Sequence, residues 1–169
     1  VARSLVLLRA SHKTPIGTLT VITREHVVLA AGFGGYEAMV RGMDAEDSSL
    51  KLSKVDRIPI ISDLIEDYFN GDLDSFNSIV VRQPGEKFSQ SAWKAMRKVA
   101  PGKVISYADL AAKAGSPDAV RAAGSACARN LIAPIIPCHR IVRSGGALGN
   151  YAYGLPAKEW LLRHEGFLK

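Results

Sequence analysis

Near residue 82 the chain changes its hydrophobic rhythm, and that change limits it to two pieces of different architecture. Ahead of it stand β-branched runs. Thr18-Leu19-Thr20-Val21-Ile22-Thr23 follows the turn Thr14-Pro15-Ile16-Gly17, and Val27-Val28-Leu29-Ala30-Ala31 follows Arg24-Glu25. These runs read as two strands paired across a tight connection. Apolar residues at 61, 64, 65, 68 and 69 have helical spacing, and Asn70-Gly71 stops that helix. The polar stretch from Gly42 to Lys54 reads as a loop, and Phe76 to Val81 as a third strand. Residues 1–82 are therefore expected to form a small α/β domain.

The remainder, 83–169, is expected to be mainly helical, which makes the chain α+β overall. Ser89 to Val99 places Ala92, Met96 and Val99 on one face and basic residues on another, and Pro101-Gly102 ends it. Ser106 can cap a second helix, with Asp109 reaching back, and Gly115 closes it. Ser116-Pro117 then offers a serine cap and a first-turn proline for a third helix. Two short helices across a Gly-containing turn have the outline of a helix-turn-helix.

Charge divides the same way. Residues 1–80 carry 8 Lys/Arg against 11 Asp/Glu, and residues 81–169 carry 14 against 5. Such a basic half suits a polyanion partner, although charges that are merely solvated give the same count. No apolar run approaches the roughly 18 residues of a membrane helix. The opening stretch from Val1 to Arg9 is too short in apolar residues for a secretory leader. Two cysteines and four histidines form neither a disulfide framework nor a zinc spacing. An intracellular, metal-free protein is the expectation, nuclear in a eukaryote and cytoplasmic in a prokaryote.

One of those cysteines lies in Pro137-Cys138-His139-Arg140, after the apolar run Ile132-Ala133-Pro134-Ile135-Ile136. A thiol is nucleophilic only as thiolate, and His139, Arg140 or a helix end nearby can lower its pKa. A buried cysteine acting as a small hydrophobe fits the same residues. Upstream, Ala119 to Arg129 is built almost entirely of small side chains, with Arg121 projecting from the middle. A bare helix with one long cation suits a minor groove about 6 Å wide, where the cation can enter the base stack. A tightly packed Ala-rich core helix looks the same in sequence. Ser144 to Gly154 is a Gly-rich loop with two tyrosines, better matched to a flat heterocycle than to a phosphate. Glu165, near the end of the last helix, either faces solvent or reaches a buried partner such as His139.

Taken in order, Phe88…Trp93, Gly102-Lys103-Val104-Ile105-Ser106-Tyr107, Ala119-Val120-Arg121-Ala122-Ala123-Gly124, Asn130, Ile136-Pro137-Cys138-His139-Arg140-Ile141-Val142, Gly149-Asn150-Tyr151 and Lys158-Glu159-Trp160-Leu161-Leu162…Glu165-Gly166 closely resemble the O6-alkylguanine-DNA alkyltransferases. The resemblance covers about residues 88–166; the first half matches only in character, at the Thr14-Pro15-Ile16-Gly17 turn.

What the resemblance implies is a direct-reversal DNA repair protein, monomeric and without cofactor, metal or membrane. It would bind duplex DNA through the minor groove, flip out an O6-alkylguanine (or O4-alkylthymine) and move the alkyl group irreversibly to Cys138. His139 would deprotonate the thiol through a water, with Glu165 orienting the imidazole, and Asn130 would tie the recognition helix to the active-site segment. Arg121 would fill the vacated stack and Tyr107 would crowd the target phosphate, with Ala122, Ser125 and Arg129 also on the DNA side. The pocket would be made by Tyr151, Ile141, Leu148, Ala152 and Tyr153. Relatives commonly have Ser-Gly-Gly where Ala152-Tyr153-Gly154 stands here, so Tyr153 is expected to narrow the entrance. Two other readings of the residues are a helix-turn-helix DNA binder without transferase activity and a Cys-His hydrolase.

Overall fold

In the computed structural model, residues 5–169 are described; Val1 to Ser4, the start of the stretch weighed as a leader, lie outside them. The chain divides into two compact units, and the division is not a single cut. One unit runs to Pro84 and takes in Leu131–Ile135; the other is Gly85–Asn130 with Ile136–Lys169. The contiguous domain expected over 83–169 is therefore interrupted by five residues. Their backbone is sheet-like: Ala31 N–H donates to the Leu131 carbonyl at 2.9 Å and Ala133 N–H to the Ala31 carbonyl at 3.1 Å. Gln83 accepts from the Leu131 N–H at 2.8 Å.

The first unit is built on a five-stranded sheet. Its strands are β1 (Val6–Thr14), β2 (Gly17–Arg24), β3 (Val27–Gly32), β4 (Lys51–Lys54) and β5 (Val80–Val81), in the order β4-β1-β2-β3-β5. β1, β2 and β3 run antiparallel, whereas β4 and β5 pair parallel on β1 and β3. The turn into β2 needs Gly17, whose φ is +119°. Helices α1 (Tyr36–Gly42), α2 (Ala45–Ser48) and α3 (Ile61–Phe69) complete it. Leu7, Ile22, Leu29, Ala30, Met39 and Met43 form a buried cluster.

Two expectations fail here for identifiable reasons. The polar stretch from Gly42 to Lys54 is not a loop but holds α2 and β4. Asp44 caps α2 by accepting from Glu46 N–H, and Asp47 is buried between Arg24 (2.9 Å) and Arg82 (2.8 Å). A carboxylate paired with two guanidiniums can leave solvent, which a count of polar residues does not register. The strand expected from Phe76 to Val81 shrinks to β5. A 3-10 turn occupies Ser75–Ser78, because Phe76 stacks on Tyr68 at 4.3 Å and Ser75 Oγ donates to the Leu64 carbonyl.

The second unit contains α4 (Lys87–Arg97), β6 (Ile105–Ser106), α5 (Tyr107–Lys113), α6 (Val120–Ala128), a 3-10 turn at Cys138–Arg140, β7 (Ile141–Val142) and α7 (Leu155–His164). The capping box of Ser106 and Asp109 forms at the head of α5 as its spacing predicts. The expected cap at Ser116-Pro117 does not. Ala119 N–H bonds back to the Ser116 carbonyl at 2.9 Å, closing a turn, and α6 starts one residue later. Within α6, Ala123 and Ala126 face inward, and the Trp93 indole donates to the Ala126 carbonyl at 3.0 Å. β6 and β7 pair in parallel, Ile105 beside Ile141 and Ser106 beside Val142. That pairing sets the head of α5 beside the strand leaving Cys138.

Candidate active site

Cys138 opens the 3-10 turn that follows the apolar run, and its N–H is tied to the Ile136 carbonyl at 2.9 Å. The same carbonyl accepts from the Asn130 side-chain amide at 2.8 Å, so the residue that ends the α6 segment also fixes the approach to the cysteine. The thiol is buried, 6% exposed. It opens on a cavity of about 540 Å³ that Tyr107, Arg121, Cys127, Arg143 and Tyr151 also line, within the size range of small-molecule sites.

Behind the thiol lies a charged relay. His139 is fully buried, and its Nε2 is 2.9 Å from Oε2 of Glu165, the residue that caps the C-terminus of α7. Arg140 grips the same carboxylate, with Nε 2.8 Å from Oε1 and Nη2 2.9 Å from Oε2, while Nη1 donates to the Val99 carbonyl at 2.7 Å. Burial works against charge on Glu165, but His139 and Arg140 outweigh it and hold the carboxyl well below its usual range. An ionised carboxylate can only accept, so the imidazole hydrogen sits on Nε2. Nδ1 then carries a lone pair, and it is buried with no hydrogen-bond partner among the described residues. Burial pulls the His139 pKa down and Glu165 opposes it, so the ring is neutral at physiological pH.

Arg140 and a helix end were two of the three groups able to help the thiol, and neither is placed to do so at this turn. The guanidinium is committed to Glu165 and Val99, and the turn at Cys138 has three residues, too few for a helix dipole. Burial pushes the Cys138 thiol up, and the groups pulling it down are the Asn130 side chain and the ammonium of Lys158.

The remaining expected residues separate into three sets. Tyr107, Arg121, Tyr151 and Ala152 line the cavity with Cys138; Ile141, Leu148 and Tyr153 do not. Ile141 instead offers its carbonyl to Lys158, and the Tyr153 ring stands edge-on to Tyr151 with centroids 5.7 Å apart. The ring is thus not part of the cavity lining, where it was expected. Ala122 and Ser125 lie on α6, Ser125 exposed, while Arg129 is exposed and donates to Ser89 Oγ at 3.2 Å. Cys127, Arg143 and Lys158 were not foreseen. A basic residue or small thiol on an amphipathic pattern carries no sign that it will turn toward a pocket. Gly149 is required where the loop meets Tyr107: its φ is +77°, and a Cβ there would lie 2.9 Å from the phenol oxygen.

With this geometry in hand, comparison with known proteins is direct. Residues 87–167 match the family model for the 6-O-methylguanine DNA methyltransferase DNA-binding domain. The methylated-DNA–protein-cysteine methyltransferase of Shigella flexneri is 36% identical over 169 residues, covering 97% of this chain and 98% of that protein. The chain belongs to the methylated-DNA–protein-cysteine methyltransferase family. The human methylated-DNA–protein-cysteine methyltransferase is 56% identical over 77 residues, 46% of this chain and 37% of its own length. The Mycobacterium tuberculosis OGT solved in complex with DNA superposes with a TM-score of 0.79 at 28% identity, covering 94% of this chain and 92% of that one. The methyltransferase family thus accounts for both halves of the chain. Among the described residues no group of three or more His, Cys, Asp or Glu side chains could hold a metal, and no helix is long and apolar enough to cross a membrane.

Proposed function

We propose that Cys138 is the acceptor of a single, irreversible alkyl transfer from O6-alkylguanine in duplex DNA. The chain is a DNA repair enzyme that takes methyl groups directly from methylated DNA onto a protein cysteine. The observation that carries the residue assignment is the buried Cys138 thiol opening on the cavity, beside a histidine whose Nε2 is locked by Glu165 and whose Nδ1 is left as a base.

In the proposed reaction the thiol proton passes to His139 Nδ1 through one water, and Glu165 stabilises the imidazolium that forms. The Cys138 sulfur attacks the alkyl carbon, the carbon–O6 bond breaks, and the electron pair leaves with the guanine, which takes up a proton. The product is a thioether, which nothing in the site can hydrolyse, so each molecule acts once. The small-residue face of α6 would enter the minor groove, and Arg121 would occupy the stack after the base is extruded. Tyr107 and Tyr151, both in the cavity wall, would hold the flipped purine.

Incubation with a duplex containing O6-methylguanine, followed by peptide mass spectrometry, tests this. The expected result is one added methylene on the peptide holding Cys138, one per molecule, and none in Cys138→Ser, since a serine hydroxyl is a far weaker acid. Methyl found on Cys127 would overturn the assignment, and repeated turnover would point to a hydrolase.

A further inference from the structure

Lys158, in the first half of α7, is fully buried, and among the described residues no carboxylate forms an ion pair with it. Its Nζ donates to the Ile141 carbonyl at 2.7 Å and to the Asn150 carbonyl at 3.2 Å. Ile141 leaves the turn that carries Cys138, and Asn150 directly precedes Tyr151 in the cavity wall. One ammonium thus joins the strand leaving the thiol to the loop that closes the cavity.

The titratable groups around that ammonium are Cys138, Cys127 and His139. None is an acid in the ordinary sense. A buried ammonium without a counter-charge is unfavourable, and the partner this site can supply is a thiolate. We propose that Lys158 is a positioning residue for the transfer: it clamps the Tyr151 loop to β7 and provides the counter-charge for the Cys138 thiolate. The inference rests on Cys138 being the acceptor. Burial lowers the Lys158 pKa while a thiolate at Cys138 raises it, and Lys158 in turn lowers the thiol. The pair is reciprocal. Once the sulfur is a thioether its charge is gone, and the spent protein keeps a buried cation without its partner.

The test uses the full chain and reads Cys138 modification by iodoacetamide across pH by peptide mass spectrometry. In Lys158→Met the pH of half-maximal reaction is expected to rise by about one unit or more, with methyl transfer from an O6-methylguanine duplex at neutral pH falling about tenfold. A pH profile that overlays the wild type overturns the proposal. If the variant does not fold, the wild type answers alone through the lysine Cε resonance, titrated before and after S-methylation. Lys158 is expected to lose its proton at lower pH in the methylated protein, and identical titrations overturn the pairing. A wild type that reacts with iodoacetamide at Cys138 but never takes methyl from DNA would sink the acceptor assignment instead, so the two failures are distinct.

Discussion

Arg140 and Glu165 form a two-point pair in the interior of the second unit, Nε on Oε1 at 2.8 Å and Nη2 on Oε2 at 2.9 Å. The carboxylate that aims His139 is therefore itself aimed, and the far end of the arginine is anchored on the Val99 carbonyl just after α4. Catalysis and folding share one ion pair.

Glu165→Gln should accordingly damage both. Methyl transfer is expected to fall at least tenfold, within the contribution of about 10²–10⁴ usual for a general base. The variant should also lose about 3 kcal/mol of stability, since Arg140 is left as an uncompensated buried charge. Rates on O6-methylguanine duplex and urea melts measured on the same preparation check it. A variant that keeps wild-type stability would show that Arg140 finds another acceptor.

Stability toward mild acid should depend on His12. Its Nδ1 lies 3.1 Å from the Leu19 carbonyl and its Nε2 2.8 Å from Ser62 Oγ, which already accepts the Ile58 N–H at 2.8 Å. The Leu19 carbonyl can only accept, so Nδ1 carries a hydrogen, and in the neutral ring Nε2 accepts from the Ser62 hydroxyl. Burial lowers the pKa from 6.5, so the unfolded chain binds more protons than the folded one. The stability is complete above about 6.5 and is lost as pH falls below that value toward the depressed one. Melting temperatures at pH 7.5 and 5.0 should differ more for the wild type than for His12→Gln. Equal differences would place the acid sensitivity elsewhere, with His139 next in line.

Arg121 is exposed and reaches the cavity from α6. If it serves extrusion, Arg121→Ala will slow repair in duplex far more than reaction with a free O6-alkylguanine base, which needs no flipping. Competition kinetics with the two substrates decide the matter, and matched losses would assign Arg121 to the pocket. Binding to undamaged duplex should in both proteins weaken steeply with salt.

Tyr153 meets Tyr151 edge-on and is not among the residues lining the cavity. Benzyl transfer by the wild type is therefore expected to proceed without obstruction, and Tyr153→Gly should not speed it. An aromatic edge contact worth about 0.5–1.5 kcal/mol is lost in that variant, so the Tyr151 wall should loosen and both substrates slow modestly. Faster benzyl transfer in the glycine variant would mean the ring does enter the opening.

The parts of this molecule legible in its sequence are those fixed by local chemistry. The β2–β3 hairpin follows from its β-branched runs, the head of α5 from Ser106 and Asp109, and the site from Pro137 to Arg140. Where distant partners decide, local signals misled. β1 lacks a clean apolar alternation, because a buried His12 takes one of its inward positions. The Ser116-Pro117 cap signal lost to a turn that delays α6 to Val120. Arg140 and Lys158 look like surface charges until the carbonyls of Val99, Ile141 and Asn150 are brought to them. The His139–Glu165 pair spans 26 positions and was expected only as one of two possibilities for the glutamate.

The five residues from Leu131 to Ile135 make the two halves poor modules. They leave the second unit after Asn130 and return at Ile136, with the neck of the excursion closed by the Asn130 amide on the Ile136 carbonyl. Their side chains are mostly buried, Ile132 at 0% and Ile135 at 2% exposure. A fragment cut at Pro84 would carry that apolar strip into water and deprive Ala31 of its bridge to Ile132. Such a fragment invites self-association through the bare strip. A chimera between relatives joined at one crossover would likewise pair one parent's β3 with the other's strip. Exchange of the reactive half therefore has three junctions to match, and the strip belongs with the sheet it lies on.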